Sequence, residues 1–232
     1  MKIALSGKMV SGKSTVAIAF AREYRYKVFS IGSEIKPLMQ SLIDKRERFE
    51  EKMADVVRDD RLLEKILNEV YAYYDQHFQN ATWKKNRLNE YEKTNSYRRL
   101  LQEVPMIIRR FLGHDIFLRM LLERNPEILD DRTKVLIDDL RLPEEKRLLE
   151  NHGFLIVRFM SSDEERLIRL KSKYGHIDPA ALNHTTEVAL DNENFDVWIE
   201  TDGKDISTIV WELGYYVHKM CKKRDLHIVS AG

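Results

Sequence analysis

Apolar and polar positions recur in two rhythms along the chain, and the rhythm assigns the elements. Ile3-Ala4-Leu5 is a short unbroken apolar run, whereas Val16, Ala17, Ala19 and Phe20 recur at the spacing of one helix face. They predict a strand ending at Leu5 or Ser6 and a helix from about Lys13 to Tyr24. Lys27 to Ile31 reads as a second strand, and Gly32-Ser33-Glu34 as a helix start with Ser33 as N-cap. Helical spacing then continues from Ile35 to about Phe78, broken by a charge-rich stretch around Asp44 to Glu51. Two further helical segments flank Pro105, which is predicted to separate them or to open the second, and an apolar helix runs on to Glu123. Strands three to five are expected at Lys134–Asp139, Phe154–Phe159 and Phe195–Ile199. Helices begin at Pro143, Ser161 and Ile206, and Gly153 is placed to stop the first of these.

Five strands joined by helical crossovers predict an α/β fold, an open parallel five-stranded sheet with helices on both faces. The segment of about 100 residues between the second and third strands exceeds any ordinary crossover. It is expected to be a helical substrate-binding insertion at 33–129, set into a core of 1–32 and 130–232 with a lid region at about 161–193. Together they form a single compact domain.

The turn between the first strand and its helix carries the chemistry. It spells G-x-x-x-x-G-K-S, with Gly7, Gly12, Lys13 and Ser14 in the fixed positions. Glycines there can take φ values closed to other residues, so that successive N–H groups converge on one anion, the β-phosphate of a nucleotide. Gly7, Ser11 and Gly12 line the cradle. Lys13 can reach the β- and γ-phosphates, Ser14 can ligate Mg²⁺, and the helix N-terminus presents its partial positive charge to the same group. A strand before the motif and a helix after it are the context that a P-loop requires.

Composition narrows the setting. With 232 residues, 43% hydrophobic and 33% charged, the chain is long enough for one α/β core with an appended subdomain. Its single cysteine, Cys221, excludes an internal disulfide and a cysteine-rich zinc site. No apolar run approaches the roughly 18 residues of a membrane span, and the chain opens on a core strand with no cleavable signal ahead of it. A cytoplasmic location and no membrane partner are therefore expected. The net charge of +1, from 39 basic and 38 acidic residues, lacks the basic excess of a nucleic-acid binder.

Other candidates follow from position. Asp138 and Asp139 end the third strand, where a carboxylate beside a P-loop lies near Mg²⁺; strand alternation would let only one of them face the ion. Arg98, Arg99 and Gln102 fall within one helical turn, and Arg109 and Arg110 lie further along, making an arginine-rich face available. Arg166, Arg169, Lys171 and Lys173 either close over the phosphates or form a solvated face, and Arg169 is the one assigned to catalysis. The aromatic cluster Tyr71, Tyr73, Tyr74, Phe78 and Trp83 reads as packing between helices.

These motifs carry a family likeness. The chain resembles the P-loop nucleoside monophosphate kinases and looks most like the deoxynucleoside monophosphate kinases of bacteriophages. The likeness runs through GKMVSGKS, the R-x-x-x-Q of Arg98 to Gln102, the D-x-R of Asp139 and Arg141, the H-x-x-E of His184 and Glu187, and the D-x-W-I strand with Asp196. Several of these are shared with kinases for dephospho-coenzyme A and phosphomevalonate.

The resemblance implies that Gly12, Lys13, Ser14 and Thr15 hold the donor ATP. It implies that Asp139 lies near Mg²⁺ and Arg141 near substrate phosphate, with Lys13, Asp139, Arg141 and Arg169 as the catalytic set. Arg98 or Arg99 and Arg109 would grip the phosphate of a nucleoside monophosphate, and Gln102 would read its base. After Gln102 the chain reads Glu-Val-Pro-Met where the family has a Gly-containing turn, which leaves Arg109 and Arg110 interchangeable. His184 and Glu187 suit a polar hinge contact or a structural pair, and a homodimer is compatible with the family. Three other readings use the same motifs: a kinase for a phosphorylated small metabolite, a kinase acting on modified bases in DNA, and a nucleotide-gated regulatory protein.

Overall fold

The computed structural model describes residues 1–92, 94–174 and 184–230. Five strands, β1 (Lys2–Gly7), β2 (Lys27–Phe29), β3 (Val135–Leu140), β4 (Leu155–Met160) and β5 (Val197–Glu200), form one sheet in the order β2-β3-β1-β4-β5. Every pairing is parallel. Helices cover both faces, so the fold is the open parallel α/β sheet that the sequence predicts. Burial of β1 on both faces explains its composition. All six of its residues are buried, including Ser6, as befits a central parallel strand.

The chain divides into two compact units. The first comprises Met1–Ile31, Leu122–His176 and Thr185–Gly232; the second comprises Gly32–Leu121 and Ile177–His184. The first holds the sheet with α1 (Lys13–Tyr24), and α7 (Pro143–Asn151) and α8 (Asp163–Tyr174) after β3 and β4. A one-turn helix, α9 (Thr185–Val188), and the C-terminal α10 (Ile206–Ser230) complete it. Its core gathers Ile3, Leu5, Val16, Phe20, Leu136, Leu155, Val157 and Phe159 with Ile209 and Leu213. The α1–α10 contact is close: a Cβ on Gly214 would stand 2.6 Å from the Tyr24 hydroxyl. Residues 175–183 of the lid expected at 161–193 lie outside the described residues.

The second unit is helical: α2 (Gly32–Asp44), α3 (Arg46–Ala54), α4 (Asp60–Phe78) and α5 (Asn95–Leu112), with α6 (Ile116–Arg124) continuing into the first unit. Asp59 caps α4 by accepting from Leu62 N, and Thr94 caps α5 by accepting from Tyr97 N. Two local expectations are corrected. The helix expected to start after Ser33 already includes Gly32, so Ser33 lies inside it rather than at its cap. Pro105 neither breaks nor opens a helix, because α5 runs through it. The missing proline N–H forfeits one bond, but Leu100, Val104, Ile107 and Ile108 are all buried on that helix, and their burial outweighs the loss. The aromatic cluster packs as expected: Tyr71 meets Phe49 of α3, Tyr73 and Tyr74 meet Phe78, and the contacts run on through Trp83 and Tyr91 to Tyr97, with ring centroids 5.5–6.2 Å apart.

Candidate functional site

The loop after β1 has the backbone that its glycines imply. Gly7 (φ 151°) and Gly12 (φ 93°) both lie at positive φ, and so does Val10 (φ 57°), a β-branched residue that the tight turn forces into this region. The two glycines are needed for different reasons. A Cβ on Gly7 would meet Ser11 Oγ at 2.7 Å and the Phe159 carbonyl at 2.8 Å, whereas a Cβ on Gly12 would meet nothing within 4 Å. Gly7 is held by packing against β4; Gly12 is required by conformation and leaves open space above the start of α1.

Lys13 folds back across the loop. Its Nζ donates to the Gly7 carbonyl at 2.5 Å, to the Lys8 carbonyl at 2.8 Å and to Ser11 Oγ at 3.3 Å. Burial pushes its pKa down to about 7, and the charges of Arg141 and Arg158 push the same way, against Glu187 and Asp138. An ammonium so short of solvation and crowded by cations is a strong site for added negative charge. A polyphosphate supplies that charge, and the open space over Gly12 gives it room, so the loop fits ATP.

Around the loop the first unit assembles charges from distant parts of the chain. Arg158 rises from the middle of β4, buried, to donate to Ser6 Oγ at 2.9 Å and to Asp191 at 2.5 Å. Asp191 also pairs with Lys8 at 2.8 Å. Arg141 pairs with the buried Glu187, whose other oxygen accepts from Met9 N at 2.6 Å. Burial alone would raise the pKa of Glu187, but Arg141, Lys13 and the Met9 N–H hold it below its ordinary value. From α8, Arg166 donates to the Met9 carbonyl at 3.1 Å. Arg169 donates to Thr201 and to the Val10 carbonyl, so its guanidinium braces the outside of the loop.

At the end of β3 the register shifts. Ala4 faces Ile137 but Ser6 faces Leu140, so β3 carries one extra residue across Asp138-Asp139 and simple alternation does not govern them. Asp138 acts on the charge of Lys13. Asp139 accepts from Ser30 Oγ and from Ile31 N, both at 2.7 Å. Ser14 and Thr15 are exposed on the first turn of α1. Among the described residues no three His, Cys, Asp or Glu side chains are grouped to hold a metal ion. The hard oxygens of Ser14 and Asp139 fit Mg²⁺ of the kind that takes one or two protein oxygens and completes its shell with phosphate and water.

In the second unit, α5 sorts its arginines. Arg98, Gln102 and Arg109 fall on one stripe, four and then seven residues apart. Both arginines are buried, and Arg109 donates to the His114 carbonyl at 3.1 Å with its guanidinium 5.0 Å from the centre of the Phe117 ring. Arg99 and Arg110 lie on a neighbouring stripe and are bound to α4, the first to His77 Nδ1 at 3.1 Å and the second to Glu69. Of the H-x-x-E residues, His184 Nε2 is 3.7 Å from Glu103, both in the second unit, and Glu187 belongs to the loop network of the first. Asp196 organises the sheet by accepting from Ile156 N at 2.8 Å.

Sequence reasoning missed Arg158, Asp191 and the position of Glu187. Arg158 left a usable signal, a lone charge inside the apolar run Phe154–Phe159. Asp191 left none.

No protein-family model and no curated protein matches the chain. Among solved structures it is similar to a gluconokinase from Sinorhizobium meliloti 1021, at 14% identity and a TM-score of 0.54 over 97% of this chain and 96% of that one. It is also similar to a dephospho-CoA kinase from Campylobacter jejuni, at 14% identity and a TM-score of 0.48 over 97% and 100%. A shikimate kinase from Aquifex aeolicus vf5 matches at 15% identity and a TM-score of 0.43 over 95% and 98%. No helix among the described residues is long and apolar enough to cross a membrane. The gluconokinase match carries the fold, and with the loop from Gly7 to Ser14 it gives the chain the fold of a P-loop kinase.

Proposed function

We propose that the chain transfers the γ-phosphoryl group of ATP, with Mg²⁺, to a (deoxy)nucleoside monophosphate, giving the diphosphate and ADP. The observation that carries this reading is the α5 stripe of Arg98, Gln102 and Arg109 on a chain that also carries the P-loop. Two guanidiniums can grip a phosphate through paired donors, and an amide can both donate to and accept from a base edge.

Gly7, Ser11, Gly12, Lys13, Ser14 and Thr15 hold the triphosphate. An oxygen of the acceptor phosphate attacks the γ-phosphorus as the bond to the β–γ bridging oxygen breaks. The charge that spreads over the equatorial oxygens is met by Lys13 and Arg141, while Arg169 keeps the loop in shape from outside. The acceptor is already ionised, so no strong base is required. Ser14 and Asp139 would hold Mg²⁺, which neutralises phosphate charge when bound. Asp139 is oriented for this by Ser30 and Ile31, the hydrogen-bonded support a ligating carboxylate needs.

A second reading, a kinase for a small phosphate-free or phosphorylated metabolite, is favoured by the shared fold with a gluconokinase. ADP release measured with ATP, Mg²⁺ and a panel separates the two. Turnover on one or more ribo- or deoxyribonucleoside monophosphates supports the first; turnover only on gluconate, shikimate, phosphomevalonate or dephospho-coenzyme A overturns it in favour of the second.

A further inference from the structure

We propose that Glu187 is a built-in competitor for the phosphate site: its carboxylate and the terminal phosphate of the nucleotide exchange places on Met9 N–H and Arg141, so that binding phosphate releases Arg141 toward the reaction. The inference rests on the reading of the loop as a phosphate cradle and adds the regulation of that site.

Glu187 stands on α9, which has a single turn, and it is among the least exposed charged side chains described, at 3%. Its anchorage is anionic in character. One oxygen takes the N–H of Met9, a donor of the P-loop backbone, and the other takes the guanidinium of Arg141. Lys13, the residue that a phosphate must reach, contributes to keeping the carboxylate ionised. The carboxylate therefore draws on a backbone N–H, a guanidinium and a nearby ammonium, the same kinds of donor that a phosphoryl oxygen uses.

Two anions cannot share these donors without repulsion. A triphosphate against Lys13 brings several negative charges into the field of a buried carboxylate that has little water to screen it. The carboxylate loses its favourable environment when phosphate takes over Lys13 and Arg141. Beyond α9, Asp191 is tied into the same network, where it bridges Lys8 and Arg158. Arg141 is the group that changes partner. Paired with Glu187 it is neutralised, and paired with phosphate it can stabilise the charge of the transferring group.

The test measures binding of ATP and of inorganic pyrophosphate to wild type, Glu187→Gln and Glu187→Asp by calorimetry, with circular dichroism confirming that each is folded. The aspartate keeps the charge but is too short to hold Met9 N–H and Arg141 together, and it covers the case in which the glutamine variant fails to fold. Both variants should bind pyrophosphate about tenfold more tightly, the gain expected when a closed form holding roughly nine molecules in ten is removed. Hydrogen exchange at the amides of Ala189 and Asp191, which bond back to Thr185 and Val188, should speed up when pyrophosphate binds wild type. Equal or weaker binding by the folded variants, or slower exchange at those amides, overturns the competition and makes Glu187 a fixed support of Arg141. If neither wild type nor variant binds ATP or pyrophosphate, the cradle reading itself fails and the proposal with it.

Discussion

The two units place their cationic side chains by different physics. In the helical unit one helix does the sorting: the 3.6-residue period puts Arg98, Gln102 and Arg109 on one stripe and turns Arg99 and Arg110 to the next, where His77 and Glu69 bind them. In the sheet unit no single element sorts anything. Lys13, Arg141, Arg158 and Glu187 come from a helix start, the end of β3, the middle of β4 and a one-turn helix, and they meet because neighbouring parallel strands run in the same direction toward the loop after β1. The lesson is that the helical arrangement tolerates exchange at exposed positions, whereas the sheet arrangement couples every charge to its neighbours.

The largest effect expected on that contrast is at Lys13. Lys13→Ala should lower kcat by about 10²-fold or more, the loss associated with one transition-state charge contact. ATP binding should fall less, because the backbone donors of the loop remain. Steady-state kinetics beside calorimetric ATP binding check both halves, and near-normal turnover would remove the chemistry from this loop altogether.

Next in size is the sorting on α5. Arg98→Ala and Arg109→Ala should each raise the acceptor KM by roughly 10-fold or more, since a charge-assisted hydrogen bond contributes about 1.5–3 kcal/mol. Arg99→Ala and Arg110→Ala remove exposed contacts worth about 1 kcal/mol or less and should change KM by no more than a few-fold. Gln102→Ala should alter the ratio of kcat/KM between bases more than it alters turnover on the best one. Equal effects at Arg98 and Arg99 would show that the stripe is structural and that the acceptor lies elsewhere.

The same contrast governs what could be read from the chain alone. Gly7 to Thr15 is contiguous, and its strand-loop-helix context was legible. The parallel sheet was legible too, because buried parallel strands are unbroken apolar runs. The insertion's arginines were legible as a set but not in register: choosing Arg98 over Arg99 needs the helix face that α4 covers, which no local pattern states. Glu187 was visible only as half of a loose motif, since its partners Arg141 and Met9 stand 46 and 178 residues away. Pro105 misled for the opposite reason, a strong local signal overruled by the buried side chains around it.

The smallest effect tests the one place where the sheet unit departs from regular geometry. The extra residue in β3 means that Asp138 and Asp139 are not simply turned to opposite faces, so their division of labour rests on partners. Asp139 accepts from Ser30 Oγ on one oxygen and from Ile31 N on the other, and a carboxylate oxygen carries two lone pairs. Asp138 acts on the charge of Lys13 instead. Asp139→Asn keeps an acceptor for Ile31 N but halves the hard oxygen donors, so half-saturation by Mg²⁺ should rise several-fold at fixed ATP. Asp138→Asn should leave half-saturation within about twofold, because it removes no proposed Mg²⁺ ligand. Turnover measured across Mg²⁺ titrations of both variants separates the assignments: a larger Mg²⁺ shift in Asp138→Asn than in Asp139→Asn would move the metal role by one residue. It would also make Asp139 a strap between β3 and the residues that follow β2.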